Sequence, residues 1–413
     1  MNFKSDFLRE INSRGFIYQS SDIDSLDNLM TKKKITGYIG FDITSDSLHI
    51  GSLVQLMLLN WLDEFGHKTI ALVGGGTTLV GDPSGKDSAR TIMTLSQISD
   101  NINKIKKTFN QFISLNKGGS IINNYEWLAD LNYINFLRDI GSKLTINKML
   151  TYESVKNRLD REQPLSFLEF NYMLLQSYDF YHLKKNYDCV LQMGGSDQWG
   201  NIINGIELIR KMLNNKAYAL TSPLITNTDG SKMGKTAKGA IWLDENKLSN
   251  FDFYQFWRNV DDENVEKFLK LFTKIDLKEI AKLSQLKGQE TNEAKKILAF
   301  EVTKITRGVE SAKEAEEIAH NIFNKKQIDD RVPTLEIEST QIEKNKFTIL
   351  DAIEKLNLTK SRSDTKRLIK SQGIKINDEI YDAEDLSLEY YLNLPNIKIS
   401  VGKKNIGILK IKN

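Results

Sequence analysis

Three short segments of this chain carry side chains whose types and spacing suit chemistry, two of them on a phosphate-bearing ligand and the third on a buried amino acid. His49-Ile50-Gly51-Ser52 opens a stretch with helical periodicity. Free backbone N–H groups and the dipole at a helix start favour an anion there. A histidine at that point can donate to a phosphate oxygen, and Gly51 lets a nucleotide approach the backbone closely. Ser231-Lys232-Met233-Gly234-Lys235-Thr236 lies in a polar, glycine-containing stretch, Thr226 to Gly239, which suits a mobile loop. Its two lysines can close over a triphosphate and follow charge as it moves to pyrophosphate. Tyr172, Gln176 and Asp179 stand at i, i+4 and i+7, on one face of a helix. They sit among Phe170, Leu174, Leu175 and Phe180, so that polar row needs partners, which a buried amino-acid substrate would supply. Taken singly, each segment has a plainer explanation: a capping histidine, a solvated basic loop, the wet face of an amphipathic helix.

The elements that would position these groups read as a parallel α/β sheet. Ile35 to Phe41 reads as a strand, His49 to Phe65 as a helix stopped by Gly66, and Lys68 to Val73 as the next strand. A second unit follows, with a strand at Cys189 to Met193, a turn at Gly194-Gly195-Ser196-Asp197 and a helix at Trp199 to Leu213. Such sheets bind ligands at the carboxyl ends of their strands. From about Asn250 to Phe323 the pattern is helical throughout, Asp329 to Lys346 reads as a linker, and Phe347 to Asn413 as a small α+β module. Domains are therefore expected at 1–245, 246–328 and 347–413, with 329–346 between the last two.

Composition sets limits. The 413 residues are 40% hydrophobic and 27% charged, which suits a folded chain of two or three domains. A formal charge of +3 means that any nucleic-acid surface must be local. The lone cysteine, Cys189, excludes an internal disulfide and a cysteine zinc site, and its apolar setting marks it as buried filler. No apolar run reaches the length of a membrane span, and the N-terminus does not read as a signal peptide, so a cytoplasmic protein is expected. Val80 to Lys86 fails the P-loop spacing, because Val80 stands where a glycine is required and Asp87 where Ser or Thr is. Gly74-Gly75-Gly76 lacks the third glycine of a dinucleotide loop, at Leu79. His67, His182 and His320 have no partners at metal-ligand spacing and read as ordinary, partly exposed histidines; no metal ligands are assigned.

Taken together, order and spacing of the segments resemble the tyrosyl-tRNA synthetase family of class I aminoacyl-tRNA synthetases. His49 to Ser52 resembles that class's first signature, with Ser52 where histidine is usual. Lys232 to Thr236 resembles its second, with Gly234 and Thr236 replacing two serines. Gly81 to Lys86 and Gln192 to Gly200 extend the likeness, continuous from about Tyr38 to Thr236. The resemblance implies a Rossmann-like catalytic domain, then an α-helical anticodon-side domain and a small RNA-binding module. It implies that Tyr38 and Asp179 face a substrate phenol, and that Tyr172, Gln176 and Asp82 hold its ammonium group with Gln192 nearby. It gives Asp42, Gly51, Asp197 and Gln198 to ribose or adenylate. His49, Ser52, Lys232, Lys235 and Thr236 would serve the phosphates, with Lys86 and Arg90 from a second loop. The implied reaction activates tyrosine with ATP, brought with Mg²⁺, then charges tRNA(Tyr). A homodimer is implied too.

Ser363 to Asn377 resembles a module shared with a small-subunit ribosomal protein, and Lys360, Arg362, Lys366, Arg367 and Lys370 would grip RNA phosphates there. Charge alone leaves a solvated helix face open. Two rivals stand: the sister tryptophan enzyme, against which Tyr38 and Asp179 argue, and a catalytically retired synthetase that only binds RNA, against which Lys235, Asp82 and Gln198 argue.

Overall fold

A computed structural model describes the chain except residues 1, 85–92, 227–232, 237–238, 325–332, 343–346, 360, 382–385, 393, 395, 403–404 and 413; at 153–154, 235–236, 239 and 322–324 only the backbone is described. The chain divides into two compact units. One comprises Met1–Gly234, Trp242–Asp244 and Glu266–Gln285; the other comprises Lys235–Ile241, Glu245–Val265 and Leu286–Asn413.

The first unit is built on six strands: β1 (Gln19–Ser20), β2 (Thr36–Asp42), β3 (Lys68–Gly74), β4 (Ser120–Asn123), β5 (Cys189–Gly195) and β6 (Tyr218–Ser222). They lie in the order β1-β6-β5-β2-β3-β4, all parallel except β1. The chain runs outward through β2, β3 and β4, then returns to the other side of β2 for β5 and β6. The reversal between β2 and β5 leaves a crevice at their carboxyl ends, where open α/β sheets take ligands. Tyr38 and Gln192 are register partners beside it.

Helices α1 (Ile50–Glu64), α2 (Phe167–Tyr187) and α3 (Trp199–Leu213) frame that crevice. His49 caps α1, and Gly66, at φ +72°, ends the turn that leads into β3. Ser166 and Glu169 form a reciprocal capping box at the start of α2, satisfying two of its orphan N–H groups. Phe180 and Leu183 of α2 are wholly buried against β2 and β5; each such side chain contributes about 1.5–3 kcal/mol.

Residues Glu266–Gln285, expected within the helical domain, group with the sheet instead. The cause is Arg14. Its buried guanidinium donates to the carbonyls of Lys270, Thr273 and Ile275 at 3.2, 3.0 and 2.8 Å and lies 4.5 Å from the centre of the Trp61 ring. His67 also departs from expectation. It is buried rather than partly exposed, and its Nδ1 accepts from the Ile35 N–H at 3.3 Å. His182 is half-buried and stacks on Trp127 at 4.1 Å, while His320 is exposed. Cys189 is fully buried, and burial pushes its thiol far up.

In the second unit, helices α4 (Asn250–Arg258), α5 (Thr291–Arg307) and α6 (Val309–Asn324) share a core that includes Phe253, Trp257, Leu298, Val302 and Ala315. The last part of the chain forms a five-stranded sheet from β7 (Thr334–Glu338), β8 (Ile374–Ile376), β9 (Glu379–Ile380), β10 (Asn396–Val401) and β11 (Asn405–Lys412). It is faced by α7 (Ile349–Lys355) and α8 (Arg362–Lys370). The stretch expected as a linker thus contains a strand: β7 pairs in parallel with β11, and Ile337 joins the module's core. Leu335 and Ile337 alternate with Glu336 and Glu338, a two-residue period that Pro333 and the surrounding polar residues obscured.

Candidate active site

At the deep end of the crevice, Tyr38 stands on β2 with its ring buried against Phe180 at 5.4 Å. Its hydroxyl is buried without a hydrogen-bond partner among the described residues. Burial, and after it the neighbouring Asp179, push the phenol well above its ordinary range. Asp179, on the inner face of α2, is also fully buried. Its two carboxyl oxygens accept from Trp127 Nε1 at 2.8 Å and Asn124 Nδ2 at 2.9 Å. Burial still raises its carboxyl to about 7, against the opposing effect of those donors, with Asp42 adding to the rise.

Nearer the mouth, Tyr172 sits almost two turns before Asp179 on the same helix and donates to Asp42 Oδ1 at 3.1 Å. Thr77 donates to that oxygen at 2.9 Å. The Oε1 atoms of Gln176 on α2 and Gln192 on β5 are buried and have no hydrogen-bond partner among the described residues. Asp82 accepts from Gln198 Nε2 at 2.8 Å and from the Ser84 N–H at 2.9 Å. The polar row of α2 therefore faces inward, and the solvent-face alternative is ruled out for Tyr172 and Asp179.

Groups expected to divide between amino acid and adenylate interlock here. Tyr172 is bonded to Asp42, and Asp82 to Gln198, so the two sets form one polar lining. An unpaired buried acceptor or hydroxyl costs about 1–3 kcal/mol. Three of them gathered at a sheet's ligand edge mark a pocket shaped for a polar guest.

At the outer edge, His49 Nδ1 accepts from the Gly51 N–H at 3.0 Å and Ser52 lies in the first turn of α1. Gly234, at φ +106°, lies against this helix start: a Cβ there would come within 3.3 Å of the Gly51 nitrogen. Trp242 bridges to His49, and Leu243 N–H donates to the Leu48 carbonyl at 2.9 Å. Gly234 of the second basic segment, and Trp242 and Leu243 beyond it, are thus brought against the first. A Cβ at Gly51 would meet the His49 ring at 2.6 Å, so glycine is needed there while that ring caps the helix. Lys235 and Thr236 form a two-residue strand whose side chains are not described, and Lys232, Lys86 and Arg90 lie outside the described residues. Asp197 lies in the turn after β5, and a Cβ at Gly195 would come within 2.6 Å of its Oδ1.

Asn124, Trp127 and Thr77 were not anticipated. Asn123-Asn124 directly follows the apolar Ile121-Ile122, and a polar pair at the end of a parallel strand is the signal that could have found them.

The basic helix of the C-terminal module is exposed along Arg362, Lys366, Arg367 and Lys370, with Thr365 turned inward. Arg362 is held by Asp351 at 2.5 Å and Glu354 at 2.8 Å, and Arg367 by Asp364 at 2.6 Å. Lys360 lies outside the described residues.

Known proteins resemble this chain in sequence and in fold. A family model described as tRNA synthetases class I (W and Y) matches residues 30–324. The chain is similar to the tyrosine–tRNA ligase of Bartonella quintana, 49% identical with 99% of each chain covered. It is similar also to that of Xanthobacter autotrophicus, 48% identical over 99% of this chain and 98% of that one. Among solved structures it resembles a C-terminally truncated mitochondrial tyrosyl-tRNA synthetase of Aspergillus nidulans, with a TM-score of 0.70 and 30% identity over 78% of this chain and 94% of that one. A Plasmodium falciparum tryptophanyl-tRNA synthetase, 18% identical over 78% of this chain and 86% of that one with a TM-score of 0.53, shares the fold.

Proposed function

The chain belongs to the class I tRNA synthetases for tryptophan and tyrosine and, within them, to the bacterial-type tyrosine–tRNA ligases; from that premise we propose how its site performs the reaction. Tyrosine enters with its phenol toward Tyr38 and Asp179 and its ammonium group toward Tyr172, Gln176 and Asp82, with Gln192 beside them. The carboxylate oxygen of tyrosine attacks the α-phosphorus of ATP, a new O–P bond forms, and the bond to pyrophosphate breaks. A ribose hydroxyl at the 3′ end of tRNA(Tyr) then attacks the adenylate carbonyl, and AMP leaves. No protein nucleophile is required. Positioning and charges that favour the transition state do the work.

His49, Ser52, Lys232, Lys235 and Thr236 serve the phosphates, joined by Lys86 and Arg90. Asp42, Gly51, Asp197 and Gln198 meet the adenylate. Mg²⁺ arrives with ATP as part of the substrate. The observation that carries the tyrosine assignment is the buried, unpaired Tyr38 hydroxyl beside Asp179. A site built to hydrogen-bond a hydroxyl rejects the analogue that lacks it, a rule for which tyrosine-specific synthetases are themselves a standard example.

Lys366 and Lys370, with Lys360, Arg362 and Arg367, face RNA. A homodimer is supported by apolar side chains left open in the first unit, among them Ile134 at 68% and Phe167 at 69% exposure, with Tyr133, Ile146 and Leu159. No helix among the described residues is long and apolar enough to cross a membrane, and the lone cysteine suits the cytoplasm proposed here. The test is exchange of labelled pyrophosphate into ATP, with tyrosine, tryptophan and phenylalanine compared. Exchange with tyrosine alone supports this assignment, and exchange with tryptophan in its place overturns it.

A further inference from the structure

The two ends of the pocket are joined by a directed chain of hydrogen bonds. Asn124 is its centre. Its Oδ1 accepts from the Gly76 N–H at 2.8 Å, which fixes the amide's orientation and turns Nδ2 toward the pocket. Nδ2 then donates to Asp179 Oδ2 at 2.9 Å and to Thr77 Oγ1 at 3.1 Å. Having accepted from Asn124, the Thr77 hydroxyl directs its own hydrogen to Asp42 Oδ1 at 2.9 Å, the oxygen that also accepts from Tyr172. Asn124 is 1% exposed and Thr77 3% exposed, so water does not compete for these bonds.

We propose that Asn124 and Thr77 form a specificity relay, through which recognition of the substrate hydroxyl at Asp179 sets the position of Asp42 at the adenylate end and so governs the rate of activation as well as affinity. The proposal rests on the placement of the phenol at Tyr38 and Asp179. Both residues are positioning residues, acting through the two carboxylates. The chain has a mechanical consequence. The amide is shared, 2.9 Å from Asp179 and 3.1 Å from Thr77; a tyrosine hydroxyl donating to Asp179 releases it toward Thr77, whereas phenylalanine leaves it drawn to the carboxylate. Asp42, which Tyr172 also holds, then lacks the tightened Thr77 bond that tyrosine brings. Discrimination thereby enters at the chemical step, where binding energy realised only in the transition state raises kcat.

Thr77→Val keeps the shape and removes the hydroxyl. The expected result is a fall of about tenfold in the tyrosine-dependent kcat of pyrophosphate exchange, the size of one buried hydrogen bond. The dissociation constant for tyrosine should stay within about twofold, and phenylalanine, already uncoupled, should keep its kcat. Thr77→Ser should restore the wild-type Tyr/Phe ratio, and Thr77→Ala should repeat the loss if the valine packs badly. An equal fall for tyrosine and phenylalanine would make Thr77 a simple support for Asp42 and overturn the relay. A purely affinity-based loss would overturn it too. The wild type in the same assay separates the two levels: if it shows no preference for tyrosine over phenylalanine, the pocket assignment itself is wrong.

Discussion

Tyr38→Phe tests the pocket through two readouts of opposite sign. The Tyr38 hydroxyl is buried and has no hydrogen-bond partner among the described residues, and a buried hydroxyl left so costs about 1–3 kcal/mol. The substitution removes that one oxygen and leaves the ring on Phe180. After subtraction of the small void left behind, the empty protein should gain up to about 2 kcal/mol. With tyrosine bound, the same oxygen makes a hydrogen bond to the substrate. Its loss costs roughly 0.5–1.5 kcal/mol, about two- to twelvefold in kcat/KM for tyrosine. Phenylalanine loses no bond, and one fewer polar group is stranded when it binds, so its kcat/KM should rise. The variant should therefore melt higher by a few degrees, activate tyrosine more slowly and activate phenylalanine faster. Scanning fluorimetry of the empty protein and pyrophosphate exchange with both amino acids measure this. A lower melting temperature together with an unchanged Tyr/Phe ratio would refute the reasoning, because the hydroxyl would then be satisfied in the empty protein and idle in the occupied one.

Three further variants probe other parts of the molecule. Gly75→Ala would place a Cβ 2.2 Å from Asn123 Oδ1, which holds the Gly75 and Tyr125 N–H groups, so the loop should shift and kcat/KM for tyrosine should fall by about tenfold or more while far-UV circular dichroism is unchanged. His67 is held at about 4 rather than 6.5 by burial and, less, by Lys34. The unfolded chain then binds more protons between those values, so stability falls as pH drops from about 6.5 toward 4, by roughly 3 kcal/mol in all. His67→Leu should flatten that limb of a urea-midpoint profile, and an identical profile would show that His67 titrates alike in both states. Lys366→Ala with Lys370→Ala should weaken tRNA binding and reduce its salt slope by about two while leaving pyrophosphate exchange unchanged. A loss of exchange in that double variant would count against a separate RNA-binding role.

The sheet was legible because parallel strands buried on both faces write themselves as short apolar runs. β2, β3 and β5 fall within a residue or two of the expected spans, and α3 falls on them. The polar row on α2 was legible because its period is helical and its neighbours are apolar. The partners of that row were not, since Asn124 and Trp127 stand more than fifty residues before Asp179 and meet it only when β4 docks beside β3. β7 was missed because five residues with a two-residue period are weak beside a proline and a polar surround. The tie at Arg14 was hidden for a related reason: no local pattern announces that one guanidinium will bind three carbonyls about 260 residues downstream.

At His49 the sequence offered two explanations, a helix cap and a phosphate donor; the structure shows the cap, and the donor role proposed above is compatible with it. Nδ1 accepts the Gly51 N–H, so it carries no hydrogen in the neutral ring, and the ring hydrogen must be on Nε2. The cap thereby selects the tautomer whose other nitrogen donates. It also holds the imidazole at the positive end of α1, where an anion is favoured. The Trp242 ring packs edge-on at 6.3 Å and limits the ring's freedom further. A side chain chosen only to cap would be better as Ser, Thr, Asp or Asn, none of which carries a second, outward donor on a rigid ring. Histidine followed two residues later by glycine is what the combined task requires, because any Cβ at position 51 would collide with the capping ring. The same logic bears on Ser52. On the proposal that His49 donates to phosphate, the fourth position of the segment needs only a short polar group, and serine supplies one.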